Sequence, residues 1–345
     1  MPRSRRSTAT TSTSATSPST PSWVDVRLAG FLLRKIGTAA ITLLVVLLVV
    51  FLSLQLLPGG FAEIVLGPRA SEQARQEAIE RFGLDQPVLV QFGNWLLAAL
   101  QGDLGVSLVS GRPVVDEIEV RLPPTLQLVI VALLIAVVAG IVLGLVAGLA
   151  RHRAVRGSAR LAGTLSLSLP DFVLGTLLLY LATVWGWGLT NRGYIPFWVD
   201  PAGALASVIL PAITLGLGGV ALVMRTLRDS LQSTLAQPFI STAVARGDSP
   251  SQIVRRHVLR NSAAPTVTVI ALLIGGFLGG TVVVETLFSV PGIGYFFATS
   301  VRSRDFAVVQ AIVLLSATVF IVANMIVDVV QVLLDPRRAE RRDAA

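Results

Sequence analysis

FISTAVARGDSPSQIVRRHVLRNSAAP, residues 239–265, is a polar, arginine-rich insert between two long apolar segments. Its residue order predicts two short helices joined at a glycine. Residues 241–246 are enough for about one and a half helical turns. Gly247, with no Cβ, takes the left-handed backbone that ends a helix. Asp248 or Ser249 then caps a second helix, with Pro250 near its first position, where a missing N–H costs nothing. A compact basic helix pair held at the inner face of a membrane is a docking element, and its partner is a separate cytosolic protein.

Around that insert the chain is far too apolar for a soluble domain. Of 345 residues, 53% are hydrophobic and 14% charged, with a mean hydropathy of +0.74. Soluble domains carry about 25% charged residues. The net charge of +8 comes from short arginine blocks separated by hydrocarbon-length runs. That pattern belongs to membrane topology, and no nucleic-acid partner is expected. With no cysteine, disulfides, thiolate metal sites and cysteine nucleophiles are excluded. His152 and His257, the two histidines, sit in basic loops with no third ligand nearby, so no metal site is expected. The nucleotide P-loop, HExxH, GxSxG and dinucleotide fingerprints are all missing. The chain therefore reads as a non-enzyme without cofactors.

A spanning helix needs about 20 mostly apolar residues. Six segments qualify: 36–57, 125–150, 161–187, 203–224, 266–288 and 306–334. The expected fold is an all-α integral membrane protein of six transmembrane helices. An even count places both termini on one side. Lys and Arg number 20 in the two tails and the two loops on that side, against 8 in the opposite loops. The first opposite loop is net acidic, so both ends are expected in the cytoplasm. The organisation expected is a Ser/Thr-rich disordered tail over 1–30, a first span over 31–57 and an external helical cap over 58–124. A five-helix core follows over 125–334, carrying the cytoplasmic loop 225–265, and a second tail occupies 335–345. The tail is not read as a signal peptide, because about fifteen polar residues part its arginines from the first apolar run. Within the cap, 71–82 reads as a polar helix and 87–100 as an amphipathic one capped by Asp85. The cap is read as packing over the spans, as a landing surface for an external partner, or as both.

Charged and amide groups in hydrocarbon usually face a cavity or a partner. Asp171, Glu285, Asn324 and Asp328 are the candidates for a translocation path. Each also has a plainer reading: Glu285 solvated near an interface, Asp328 at the basic rim. Pro170 is expected to break or kink the third span beside Asp171. Gly140, Gly144 and Gly148 fit close helix packing, and 275–280 adds four more glycines suited to packing or to a pliable gate. No intramembrane Lys or His forms a proton relay, which speaks against a self-driven ion-coupled transporter. Such a transporter or channel, and a scaffold that recruits a cytosolic protein, remain the alternative readings of the residues.

The run ARGDSPSQIVRRHVLRNSAAPTVTV, residues 245–269, resembles the "EAA" signature of permease subunits in bacterial ABC importers of the dipeptide/oligopeptide/nickel branch. GGTVVVETLFSVPGIG (279–294), RDFAVVQ (304–310), LLDPR (333–337), LLPGG, GLDQP, the GDLGVS run (102–107) and RLPPTLQL (121–128) resemble its B-type permease in the same order. Departures are Ser241-Thr242-Ala243 at the Glu-Ala-Ala opening, Asp248 and Ser249 after Gly247, and Arg260 where proline is common. The resemblance implies a pore subunit beside a second, related permease, with two cytosolic ATPases, an extracytoplasmic solute-binding protein and surrounding lipid. It also implies that the helix pair couples to the ATPase through Ser241, Thr242, Ala243, Gly247, Ser249, Ile253, Arg256, His257, Leu259 and Arg260. The location implied is the bacterial inner membrane.

Overall fold

The computed structural model describes residues 23–56, 73, 76, 85–150, 152–168, 170–189 and 193–334. Residues 1–22 of the first tail, the second tail, the LLPGG motif beyond Leu56 and all of the expected helix 71–82 but Gln73 and Gln76 lie outside them, whereas 23–30, expected in the disordered tail, are the first residues of a helix. The chain divides into two compact units between Thr42 and Leu43. The first contributes the start of α1 (Trp23–Gln55), and the second holds everything else considered below.

Five described helices are long and apolar enough to cross a membrane. They are α1, α3 (Val114–Leu149), α6 (Pro201–Leu235), the helix Pro250–Phe288, and α11 (Phe306–Leu334). The third span expected from sequence is not one helix. Its place is taken by α4 (Arg153–Ser168) and α5 (Asp171–Val184), with the break at Pro170. Proline lacks the N–H that would bond one turn back and pushes its predecessor out of helical geometry. At about 1.5 Å per residue α5 alone is too short for a hydrocarbon core of about 30 Å.

Other expected boundaries also move. α3 begins eleven residues before Thr125 and carries Pro123 and Pro124 inside it. α6 runs beyond Met224 to Leu235. In the cap, α2 (Val88–Leu100) forms where an amphipathic helix was expected, but Pro87 occupies the N-cap and Asp85 caps nothing.

α3 and α6 form the central pair and run parallel. A Cβ at Gly140 would lie 2.7 Å from Val223 Cβ, one at Gly144 3.0 Å from Leu227 Cβ, and one at Gly148 2.7 Å from Leu231 Cδ1. The glycine stripe is therefore a contact seam that no larger residue fits. Leu128, Ala132 and Ala136 of α3 meet Leu215 and Val223 of α6, and both meet Leu273, Phe277 and Val284 of the Pro250–Phe288 helix. One smaller cluster seals each end of this core. Outside, Leu126, Ile130, Leu134, Val138, Val142 and Val146 of α3 are exposed at four-residue intervals. An uninterrupted apolar ridge of that length is a lipid- or protein-facing surface.

Candidate functional site

The basic insert forms an elbow. α7 (Pro238–Ala245) starts with Pro238 at its first position, three residues before the expected Ser241. Its end is a full Schellman motif: the Gly247 N–H donates to Val244 O at 2.9 Å and the Asp248 N–H to Ala243 O at 3.1 Å. Gly247 has φ +85°, and the space around it is open, so backbone geometry alone demands glycine.

Ser249 caps α8 (Pro250–Ile253). Its hydroxyl accepts the Gln252 N–H, and Gln252 Oε1 accepts the Ser249 N–H at 2.9 Å, a reciprocal capping box. The second limb is not a separate short helix. A π turn (Val254–Val258), in which Leu259 N–H donates to Val254 O, joins α8 to α9 (Leu259–Phe288) without interruption. Pro265 lies inside α9 and does not end it. The elbow's second limb is thus the base of a membrane-spanning helix.

Burial sorts the expected coupling residues. Ser241, Thr242, Gly247, Ser249, Arg256 and Arg260 are exposed. Ala243, Ile253 and Val258 are buried, packed with Ile240 on Leu227 and Leu231 of α6, and Leu259 rests against the same cluster. Ala243 and Ile253 therefore hold the elbow to its own scaffold and offer a partner no side-chain surface. His257 is half-buried: its Nε2 is 3.8 Å from Asp248 Oδ2 and its ring is 6.3 Å from that of Phe239, so it spans the inside of the bend. A buried Thr234–Ser262 hydroxyl pair at 3.3 Å ties α6 to α9 just above.

Sequence reading missed Phe239 and Val244, which stand exposed on α7. No local signal gave it: Ile240, Ala243 and Val244 stand at i, i+3 and i+4, which nominally share one face, so it is the packing on α6 that buries the first two and leaves Val244 out.

The four membrane-polar candidates do not converge. Asp171 is exposed at the first turn of α5. Asn324 donates to Phe320 O of its own helix at 2.8 Å, and Asp328 is half-buried one turn further. Glu285 is fully buried, which overturns its solvated reading. It pins α10 (Ile293–Ser303). The Thr125 hydroxyl donates to Glu285 Oε1 at 2.7 Å, the Tyr295 N–H donates to Oε2 at 2.9 Å, and the Ile293 N–H donates to the Thr125 oxygen at 2.8 Å. The N-cap of α10 is Gly292, which has no side chain to serve its orphan N–H groups, so α3 and α9 supply the acceptors.

Beside this pin, buried Asp305 accepts from the Ser107 hydroxyl at 2.5 Å, fastening the GDLGVS run to the start of α11. Neither Thr125 nor the Ser107–Asp305 pair was singled out from sequence. Their partners lie 160 and 198 residues away, and no local pattern joins them. An apolar cavity of about 610 Å³ opens between α3, α9, α10 and α11, with Gly276, Gly279, Phe297 and Phe320 in its wall.

Residues 140–340 match the family described as the binding-protein-dependent transport system inner membrane component, and residues 28–129 match that system's N-terminal membrane component. The chain belongs to this family. It is also similar to the glutathione transport system permease protein GsiC of Salmonella choleraesuis (strain SC-B67), with 37% identity over 306 residues, covering 89% of this chain and 97% of that one. The same protein from Escherichia coli O6:H1 is 36% identical over 295 residues, covering 86% and 94%. The binding-protein-dependent permease described here is accordingly a multi-pass inner-membrane protein and a permease subunit of an ABC importer. It works in a complex with ATPase and binding-protein partners. The helix–elbow–helix from α6 to α9 lies wholly inside the matched inner-membrane component.

Proposed function

We propose that this permease forms half of an ATP-driven path for small peptides or similar solutes, and that the elbow from Pro238 to Arg260 is where a cytosolic ATPase docks. The continuity of α8 with α9 carries this reading. A movement applied at the exposed outer face of the elbow passes into a spanning helix with no flexible joint between. The Schellman corner and the capping box stiffen the bend, while Phe239, Ser241, Thr242, Val244, Arg256 and Arg260 supply apolar, hydroxyl and cationic contact groups.

In this scheme two related permeases, as a heteromer, sit on two ATPases and receive solute from an extracytoplasmic binding protein. Six crossings, with α4 and α5 together making the third, leave both termini in the cytoplasm. Closure of the ATPases swings the elbows and switches the pore from inward- to outward-open. The permease breaks no bond, and ATP hydrolysis belongs to its partners. The peptide class is suggested by the glutathione named for the relatives, glutathione being a small peptide.

Reconstitution in liposomes tests the scheme. With a second permease, both ATPases and a loaded binding protein, peptide uptake and stimulated ATP hydrolysis are expected. Solute flux through this chain alone, or ATPases that never co-purify with it, would overturn the scheme.

A further inference from the structure

We propose that α2 is an interfacial membrane anchor whose free apolar face is buried in lipid at the hydrocarbon boundary, and is not a platform for a protein partner. This goes beyond the transport reading and does not depend on what is carried.

Four observations support it. First, α2 holds no charged residue and none of its residues is buried by the rest of the protein. Second, its surfaces are distinct. At about 100° per residue, Phe92 and Trp95 fall on one side and Gln91 and Asn94 next to them. Leu89, Gly93, Leu97 and Leu100 fall together on another. The first side is spoken for: Phe92 meets Phe51 of α1 edge-on at 5.5 Å, with Trp95 closing the trio. Leu89, Leu97 and Leu100 are 69%, 59% and 77% exposed, an apolar strip without cover among the described residues.

Third, the depth of the helix is fixed. Gln55 ends the 22-residue apolar run of α1, a length of about 33 Å that matches a hydrocarbon core. The Gln55 side chain donates to Gln91 Oε1 at 3.0 Å, which sets α2 at the level where that span leaves the acyl chains. Fourth, the neighbouring span is itself lipid-faced, since Leu44, Val45, Val49 and Leu52 of α1 are also exposed.

A helix with an apolar face on one side and amides on another, held at that depth, lies in the plane of the interface. The amides are satisfied close by: Gln91 Nε2 donates to Gln86 O at 2.8 Å and Asn94 Nδ2 to Gln86 Oε1 at 3.1 Å. The anchor braces the far end of α1, and among the described residues of the cap the loop 101–113, with exposed Val106 and Val109, is open to external partners.

The cysteine-free sequence makes the test direct. L97C, L100C and N94C, each carrying a nitroxide, are placed in nanodiscs of phosphatidylethanolamine and phosphatidylglycerol. Collision with oxygen, which concentrates among acyl chains, is compared with collision with a water-soluble nickel chelate. The ratio of oxygen to nickel access is expected to be several-fold higher at positions 97 and 100 than at 94. Equal nickel access at all three positions would put the face in water and overturn the proposal. Exclusion of both reagents at 97 and 100 would mean protein covers it, and overturns it equally. The measurement is repeated in the assembled transporter with binding protein added. Unchanged oxygen access is expected, and its loss would make the strip a protein-docking surface. The three side chains are exposed, and the contact given up is the Asn94 bond to Gln86 at the surface.

Discussion

Gly247 and Glu285 show two ways in which one residue fixes the machinery. At Gly247 the constraint is the backbone alone, because nothing lies within 4 Å of a built Cβ. Gly247→Val forces a β-branched residue into φ +85°, a strain of about 1–3 kcal/mol. Membrane insertion is expected to be normal, and ATP hydrolysis stimulated by loaded binding protein is expected to fall to the unstimulated rate. Gly247→Asn, which tolerates the left-handed region, is expected to keep most of that stimulation. At Glu285 the constraint is hydrogen bonding. Glu285→Ala strips acceptors from the Tyr295 N–H and the Thr125 hydroxyl in a sealed site, at a cost of about 1–3 kcal/mol. Thermal unfolding in detergent should show a lowered midpoint, with Glu285→Gln recovering much of the loss because its amide oxygen still accepts. Unchanged midpoints in both would show that the α10 pin is not structural. Gly292 has no alternative, since a Cβ there would lie 2.5 Å from both Glu285 Oε2 and Thr125 Oγ1.

At the scale of helices, glycine means two different things in the same bundle. Gly144 sits in the α3–α6 seam, where any larger residue overpacks at about 1–3 kcal/mol. Gly276 and Gly279 on α9 face the apolar cavity, and nothing stands within 4 Å of a built Cβ. Gly144→Leu is therefore expected to reduce folded yield and lower the unfolding midpoint. Gly279→Ala is expected to leave the midpoint unchanged or raise it, since alanine is favoured over glycine in a helix by about 1 kcal/mol. Measuring both by thermal unfolding decides whether the seam and the cavity wall differ as described. The helices also explain which boundaries were legible. Pro170 was read as a break, and a break is there. Pro123, Pro124 and Pro265 marked expected limits of spans, yet α3 and α9 run through them. A proline removes one hydrogen bond, and whether the helix ends is settled by the packing on either side. Leu128 and Val129 just beyond one pair, and Ser262 and Thr266 on either side of Pro265, are buried, and that burial holds the helices through the defect.

For the whole molecule, the orientation proposed from arginine placement predicts the labelling of single cysteines. A cysteine at Ser249 should react with a membrane-impermeant maleimide only after the cells are opened, and one at Val109 should react in intact cells. The reverse pattern would turn the elbow outward and remove the ATPase from its reach. Both positions are at the surface, Val109 at 68% exposure, so neither label needs the protein to open.

Residue order alone was enough to establish a helical, membrane-bound chain, a stiff basic elbow turning at Gly247, and a resemblance to the permease family to which the chain belongs. Each of these follows from local information: runs of apolar residues, caps one turn apart, charge counted along the chain. Three outcomes waited on the folded molecule: that buried Glu285 pins α10, that Ala243 and Ile253 face inward, and that the elbow's second limb is the foot of α9. Those outcomes depend on which side chains meet across separations of up to 198 residues. Hydrophobicity along the chain measures how strongly a residue avoids water, and leaves open which neighbour will cover it.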